Sequence, residues 1–492
     1  MGKGGQLYDA SVGAKQAHVS AQKAGAKSKV IREDITVKEL RSHNTVSDAW
    51  MSIGTKVYDV SNWHAHPGGS VIFTHAGDDM TDVFNMFHPP SAFAGLNKFY
   101  IGNLVADVIE DETEKANDLK QRNFERAYRS LRGKMIAAGL FKVSPGYYAY
   151  KFASQALMVA AAAMLAAHES TLALLGSALL LGLFWQQAGW LCHDICHNQI
   201  SQSEGCVWWN TAFGLTFGNL AQGFSCAWWK DKHNRHHAVP NVHASGASAL
   251  NGDPDIDTMP LLAWTVKMGE VGKDDDTSRW LISVQKWTYL PLLLFARLSW
   301  LQQGIQFAWS IKEDGIFNNA TKNDDLKAVQ EASLSGSMKY AEQILLILHH
   351  IWVIALCSQR PTILGGIMLW LLANNVCGMI LFAVTSLGHN GLPVYEADER
   401  PDYWKLQVTT TRNITGNAFV HWLCGGLEYQ VDHHLFPTMP RHHLPKAHEL
   451  IVSFCKEHEI TYNEANLWVG TLDIIKHLDV VAKEFLVEFP AM

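Results

Sequence analysis

The eight cysteines, at positions 192, 196, 206, 226, 357, 377, 424 and 455, form no Cys-x-x-Cys pair in a chain of 492 residues. That usage suggests neither a disulfide framework nor a thiolate zinc site, and it fits reduced thiols on a cytosol-facing protein. Basic charge is also short. The 40 Lys and Arg against 47 Asp and Glu leave a net −7, which removes nucleic acid as a partner because its binding rests on clustered cations. Residues 1–33 hold lysines but no apolar run of the length a signal peptide needs, so they read as a flexible, exposed leader. Charged residues make up 18% and apolar ones 48%, too apolar for a disordered chain and too polar for one wholly buried in lipid. Neither His-Glu-x-x-His nor Glu-x-x-His occurs, which excludes a zincin protease and the soluble carboxylate-bridged metal bundle.

Two residue types are abundant instead: 24 His and 18 Trp. Imidazole is the commonest metal ligand and Trp gathers at membrane interfaces, so together they point to a metalloprotein in a bilayer. Residues 34–107 read as a small α+β domain, with a hairpin of Trp50–Ile53, a Gly54-Thr55 turn and Lys56–Val60. Residues 108–147, charged in both signs, read as a solvated helical linker. Residues 148–492 read as an all-α membrane domain, whose four apolar stretches, 152–167, 171–192, 340–358 and 362–387, approach the length needed to cross a bilayer. Each pair is joined by a few polar residues, as two helical hairpins inserted from one side would be. Four crossings then return both termini to that side, with six spans as the alternative. The Trp-rich segments Val207–Trp229 and Trp280–Trp309 read as helices lying at the interface.

His66-Pro67-Gly68-Gly69 would arise by chance roughly 0.004 times at this composition, which lifts it above ordinary motif noise. Pro fixes such a loop and the glycines let backbone approach a flat macrocycle while one imidazole reaches iron. His88, 22 positions on, would supply the second axial ligand; His64 and His75 read as structural. Asp78, Asp79 and Asp82 form an acidic face, either solvated or open to a basic reductase. Residues Val57–Trp63, the His66 motif and Phe87-His88 resemble cytochrome b5. That resemblance implies bis-histidine haem b and one-electron transfer.

Three histidine clusters follow. His193 and His197, four apart, close the second span; His233, His236 and His237 lie in the next loop; Gln430, His433 and His434 come after span four. The second and third patterns are each expected roughly 0.05 times by chance, so two in one chain carry weight. Positions i, i+3 and i+4 project from one side of a helix, and the span count puts all three clusters at one membrane face. His389, ending span four at that face, could complete the set. His349-His350, in mid-span, and His442-His443 read as structural, and His243 is left unassigned. Ligand type allows zinc, copper, iron or nickel. Eight imidazoles suit two metals with open positions, and an electron-delivering haem on the same chain argues for redox iron. Gln430 stands where a patterned cluster would have His; it could ligate through its carbonyl oxygen or hold a ligating water. Asp194, Asp432 and Asn390 are candidates to orient imidazoles. The acid run Asp253, Asp255 and Asp257 lacks the glycine of a calcium loop and reads as a turn.

The three clusters with the N-terminal haem domain resemble the membrane fatty acid desaturases of the front-end group, which carry a fused cytochrome b5 and open the third cluster with Gln. Val57–Gly69, Trp228–Pro240, Asp253–Pro260 and Tyr429–Pro437 look closest to algal delta-6 acyl desaturases. The resemblance implies two non-haem irons and O2-dependent insertion of a cis double bond into polyunsaturated acyl chains carried on lipid or coenzyme A. It also implies an endoplasmic reticulum location and NADH-cytochrome b5 reductase as electron donor. A delta-5 or delta-8 (sphingolipid) desaturase, or a fatty acyl hydroxylase using the same oxidant, is the alternative.

Overall fold

The computed structural model describes residues 31–105, 112–201, 207–244, 251–310, 334 and 336–490. The expected leader lies outside them up to residue 30, as does Cys206. The N-terminal domain is α+β. Strands β1 (Arg32–Ile35), β2 (Asn44–Thr45), β3 (Asp48–Ile53), β4 (Lys56–Asp59) and β5 (Tyr100–Leu104) form one sheet in the order β1-β5-β4-β3-β2, parallel only between β1 and β5. The expected hairpin is β3–β4, in register Trp50 to Asp59 and Ile53 to Lys56. Its alternation sends Met51 and Ile53 into the core beside Tyr58. Helices α1 (Val37–Ser42), α2 (Thr81–Phe87) and α3 (Phe93–Leu96) complete the domain.

Helix α4 (Glu112–Ala137) follows, and its surroundings differ from the solvated linker expected. Tyr128, Leu131 and Met135 recur at helical spacing and are buried, and Tyr128 donates its hydroxyl to the Leu435 carbonyl at 3.0 Å. One face of α4 is therefore core, because three large apolar residues on one stripe outweigh the charges around them. A single cluster of buried side chains runs from Met51, Phe73 and Met86 through α4 to Leu435, Phe436 and Met439.

Four helices are long and apolar enough to cross a membrane: α5 (Pro145–Ala166), α6 (Thr171–Cys196), α11 (Ser337–Cys357) and α12 (Ile363–His389). They match the expected stretches but run further at the ends that carry chemistry. Side-chain oxygens of Ser144, Ser170 and Thr362 cap α5, α6 and α12 by accepting the amides of Tyr147, Ala173 and Gly365. Where α6 meets α12, Gly182 has no room for a Cβ: it would fall 2.7 Å from Val376. Arg360 ties the two hairpin turns together through the carbonyls of His168 and Glu169. Outward residues such as Leu157, Leu172, Ile354 and Ile363 are exposed and apolar, the surface that lipid would cover.

Between the hairpins lie α7 (Val207–Gly214), a π-helical stretch Leu215–Gln222, α8 (Cys226–Ala238), α9 (Asp276–Leu293) and α10 (Ala296–Ala308). Trp208, Trp209, Trp280 and Trp287 are exposed, as interface helices require, but Phe217, Phe224, Trp228 and Trp229 are buried against the bundle. After α12 come α13 (Tyr403–Thr409), α14 (Gln430–Leu435), α15 (Leu444–Glu457) and α16 (Leu467–Glu488).

The cap of helices α13–α16 that follows α12 is tied to α6 by a buried ion pair. Arg441 donates from Nε to Asp194 at 2.5 Å and from its terminal nitrogens to the carbonyls of Trp190, at 2.5 Å, and Gly425. Tyr148 also donates to Asp194, at 3.1 Å. Removing the cation strands a buried carboxylate, so Arg441→Ala should cost about 3–5 kcal/mol. A lower melting midpoint of the detergent-solubilised chain checks this.

Candidate metal centre and haem site

Every residue expected to hold metal arrives at one end of the four apolar helices. The last turn of α6 brings His193, with His197 just beyond it; α8 brings His233, His236 and His237; α12 ends on His389; α14 brings Gln430, His433 and His434. They separate into two groups. His193, His197, His233, His237 and His433 form one, and His236, His389 and His434 the other, each with its ring nitrogens within 4.8 Å of one another. Successive residues on a helix point about 100° apart, so His236 and His237 face different groups, as do His433 and His434. The stacked rings of His237 and His434, 4.0 Å between centroids, join the two.

In the first group His237 Nε2 lies 3.0 Å from His233 Nε2 and 3.1 Å from His433 Nε2; in the second, the Nε2 atoms of His236 and His389 are 3.2 Å apart. Neighbouring nitrogens bound about 2.1 Å from one ion at a right angle lie about 3.0 Å apart. Buried Nε2 atoms of His193, His197 and His434 have no hydrogen-bond partner among the described residues, which is costly for a polar atom unless a cation faces it. The far side of several rings is fixed. Nδ1 of His193 lies 3.3 Å from Asp194, that of His236 2.9 Å from Asp253, that of His434 2.9 Å from the Gln407 carbonyl oxygen and that of His389 3.2 Å from the Thr410 carbonyl. A proton on Nδ1 leaves the Nε2 lone pair aimed inward. Burial and the neighbouring histidines hold His233, His237, His433 and His434 well below the usual imidazole range, in the uncharged form a metal needs. At His236 burial pulls down, but Asp253 and Asp255 outweigh it and the value rises.

Gln430 points into the second group, its amide 2.7 Å from His389 Nε2. A half-turn of the amide presents the carbonyl oxygen at the same place. Of the residues expected to orient imidazoles, Asp194 does so. Asp432 and Asn390 touch none of the eight clustered imidazoles: Asp432 accepts from Tyr462 at 2.7 Å and Asn413 at 3.0 Å and holds Nδ1 of His448, outside the two groups, at 3.0 Å, and Asn390 donates to Ser386 at 2.6 Å. Asp432 sits on the far side of α14 from its histidines. Asp253 makes the expected turn, accepting the Asp255 amide, and also holds His236. The acid run was the signal for it; Gln407 is a lone amide with no pattern to mark it. His349 bonds the Leu220 carbonyl and His443 that of Lys142, both structural as expected. His243 pairs with Glu396. Cys192 and Cys196 of α6 meet Cys226 of α8 with sulfurs 3.9 and 3.5 Å apart. The described cysteines are all free.

In the N-terminal domain the rings of His66 and His88 face each other, 6.1 Å between centroids. Their Nδ1 atoms engage the carbonyls of Gly69 at 3.2 Å and Phe84 at 3.1 Å, which again leaves both Nε2 lone pairs for a metal between them. Burial first, then His88, lowers His66 to about 3, and burial lowers His88. His75 bonds Thr74 instead.

Residues 169–466 match the protein family described as Fatty acid desaturase, and residues 36–105 the Cytochrome b5-like Heme/Steroid binding domain. The chain belongs to the fatty acid desaturase family. It is a membrane desaturase fused to an N-terminal cytochrome b5 domain, with haem and a His-rich di-iron centre as its cofactors. It is similar to the Acyl-lipid (9-3)-desaturase of Physcomitrium patens, 35% identical over 91% of this chain and 78% of that one. The Delta(8)-fatty-acid desaturase of Euglena gracilis is 31% identical over 87% and 94%. The Delta(6)-fatty-acid desaturase fat-3 of Caenorhabditis elegans is 31% identical over 81% and 87%. The desaturase donor set is all nitrogen, apart from Gln430, and the residues fit two irons.

His236→Ala should lower bound non-haem iron from about two to about one per chain, because the five-histidine group stays whole. Asp253→Ala should weaken the same metal by about 10–100-fold. Metal analysis and titration check both.

Proposed function

We propose that the chain is a front-end desaturase that places a cis double bond at delta-6 in 18-carbon acyl chains already carrying a delta-9 bond. The observation that carries the reading is the convergence of eight imidazoles and Gln430 into two groups at the end of the apolar bundle. His193, His197, His233, His237 and His433 hold one iron; His236, His389, His434 and Gln430 hold the other; His66 and His88 hold haem. Bound iron supplies the removal of hydrogen from an unactivated C–H bond with O2 and two electrons. The residues keep the ligand nitrogens unprotonated and aimed, while Asp194, Asp253 and Gln407 fix ring orientation. The delta-6 choice is supported by the resemblance and by fat-3, against delta-8 for the Euglena relative.

NADH-cytochrome b5 reductase is the proposed electron donor, and acyl lipid or acyl-CoA the substrate. We place the protein in the endoplasmic reticulum membrane with both termini, and the loops 198–339 and 390–492 that flank the second hairpin, in the cytosol. Of two glycosylation sequons in those loops, Asn319-Ala320-Thr321 lies outside the described residues. Asn413 is buried and bonded to Asp432 and Tyr462, so its lack of glycan would follow from burial alone. A C-terminal epitope tag is the better reporter: it should be reached by antibody when only the plasma membrane is permeabilised, and protection would overturn the topology.

Expressed in a desaturase-poor host fed defined acids, the chain should give delta-6 products, located by mass spectrometry. A new bond at delta-5 or delta-8 would correct the regiochemistry, and hydroxylated acids would replace the reading with a hydroxylase. His236→Ala or His433→Ala should abolish product. Gln430→His should keep part of the turnover, whereas Gln430→Leu should abolish it with the haem spectrum intact.

A further inference from the structure

Helix α8 carries three of the metal-site histidines and, on a neighbouring face, Asp231 and Asn234. Those two grip the His66 loop of the haem domain. The buried Asp231 carboxylate accepts the Ser70 amide at 2.5 Å, and Asn234 donates to the Gly68 carbonyl at 2.9 Å. Gly69 has φ +82°, and a methyl there would overlap the Asp231 carboxylate, so this glycine serves the junction as well as the loop. On the other side of the haem site, Phe87 precedes His88 and sets its ring edge-on to His237, 6.2 Å between centroids. Two clamps surround this junction. Arg129 of α4 makes two bonds to Asp82, at 2.7 and 3.1 Å, and Arg400 bonds Asp78 at 2.9 Å and the Thr74 carbonyl at 3.1 Å. Two of the three acids read as an open face are thus engaged within the chain, and one apolar core spans the junction.

We propose that the haem domain is docked in one fixed pose on α8, with Phe87 and His237 as the direct electron route from the haem site to the five-histidine site. Asp231, Asn234, Arg129 and Arg400 are positioning residues for that route. The inference rests on the desaturase reading above. Each pass oxidises the haem centre by one electron and reduces the acceptor by one. Two passes, with two protons and one O2, convert a CH2–CH2 unit to CH=CH and yield two waters, and an NADH-linked flavin reductase refills the haem. Tunnelling falls steeply with distance, so a domain swinging on a tether would pass electrons more slowly than one held with a side chain bridging the sites.

The test uses the full chain, loaded with haem and iron, reduced without oxygen and mixed with O2 and acyl substrate. Haem reoxidation is followed by its Soret band, and the phase that disappears when non-haem iron is chelated reports transfer to the second site. Arg129→Glu with Arg400→Glu should slow that phase at least about tenfold, with haem and iron contents unchanged. Adding Asp82→Arg and Asp78→Arg should restore it. Phe87→Leu should slow it while the Ser70 amide stays protected from hydrogen exchange. In the iron-free full chain, Asp231→Ala should expose that amide. A wild-type rate in either the double-Glu or the Phe87→Leu chain overturns the route, and rapid Ser70 exchange in the unaltered chain overturns the fixed pose. A wild-type chain with no iron-dependent phase overturns the desaturase reading, while Ser70 protection reports the pose independently.

Discussion

Eight imidazoles with their lone pairs converging in a protein interior are the constraint on which the rest of the molecule depends. Buried lone pairs 3.0–3.2 Å apart repel unless cations lie between them. Holding them there requires four separate helices to end at one level, with the rings of His193, His236, His389 and His434 fixed from behind. The helix caps, the short hairpin turns and the Gly182 contact set that level. Asp253, Gln407 and the Thr410 carbonyl fix the rings. Because the anchors are carboxylates, amides and carbonyls rather than apolar walls, the tautomer is set together with the direction.

Long-range polar ties secure the same frame from below. Arg297 is fully buried, bonds Gln222 and Asn374, and stacks on Trp185 at 3.6 Å. This guanidinium joins α10, the π-helical stretch, α12 and α6. Arg441 does the same above, between the cap and α6. Buried ionic and amide ties contribute little net stability after desolvation, but they penalise any slip of one helix against another. A metal site shared by four helices benefits most from that penalty, since a slip of one residue would move a histidine through a large angle.

The haem domain is bound into this frame rather than suspended from it. Its loop glycine, an acidic turn and Phe87 all meet the catalytic domain, and α4 packs a stripe of Tyr128, Leu131 and Met135 across both. Charges dominate the composition of α4, whereas three apolar residues at helical spacing dominate its energetics, so composition alone points to solvent. The partners of the acidic face, Arg129 and Arg400, lie 47 and 322 residues away, so no local pattern marks them.

The sequence by itself determined the parts that rest on local pattern: the β3–β4 hairpin, four apolar helices and the nine side chains that the fold brings together. Rare spacing and apolar length are properties of neighbouring residues, so one dimension suffices to read them. Only the tertiary structure decided which histidine joins which group, that Asp253 rather than Asp432 holds an imidazole of those groups, and that the haem loop sits on α8. Those depend on helix phase and on contacts between segments up to a few hundred residues apart. A one-residue step turns a side chain by about 100°, and spacing cannot say which neighbour it then meets.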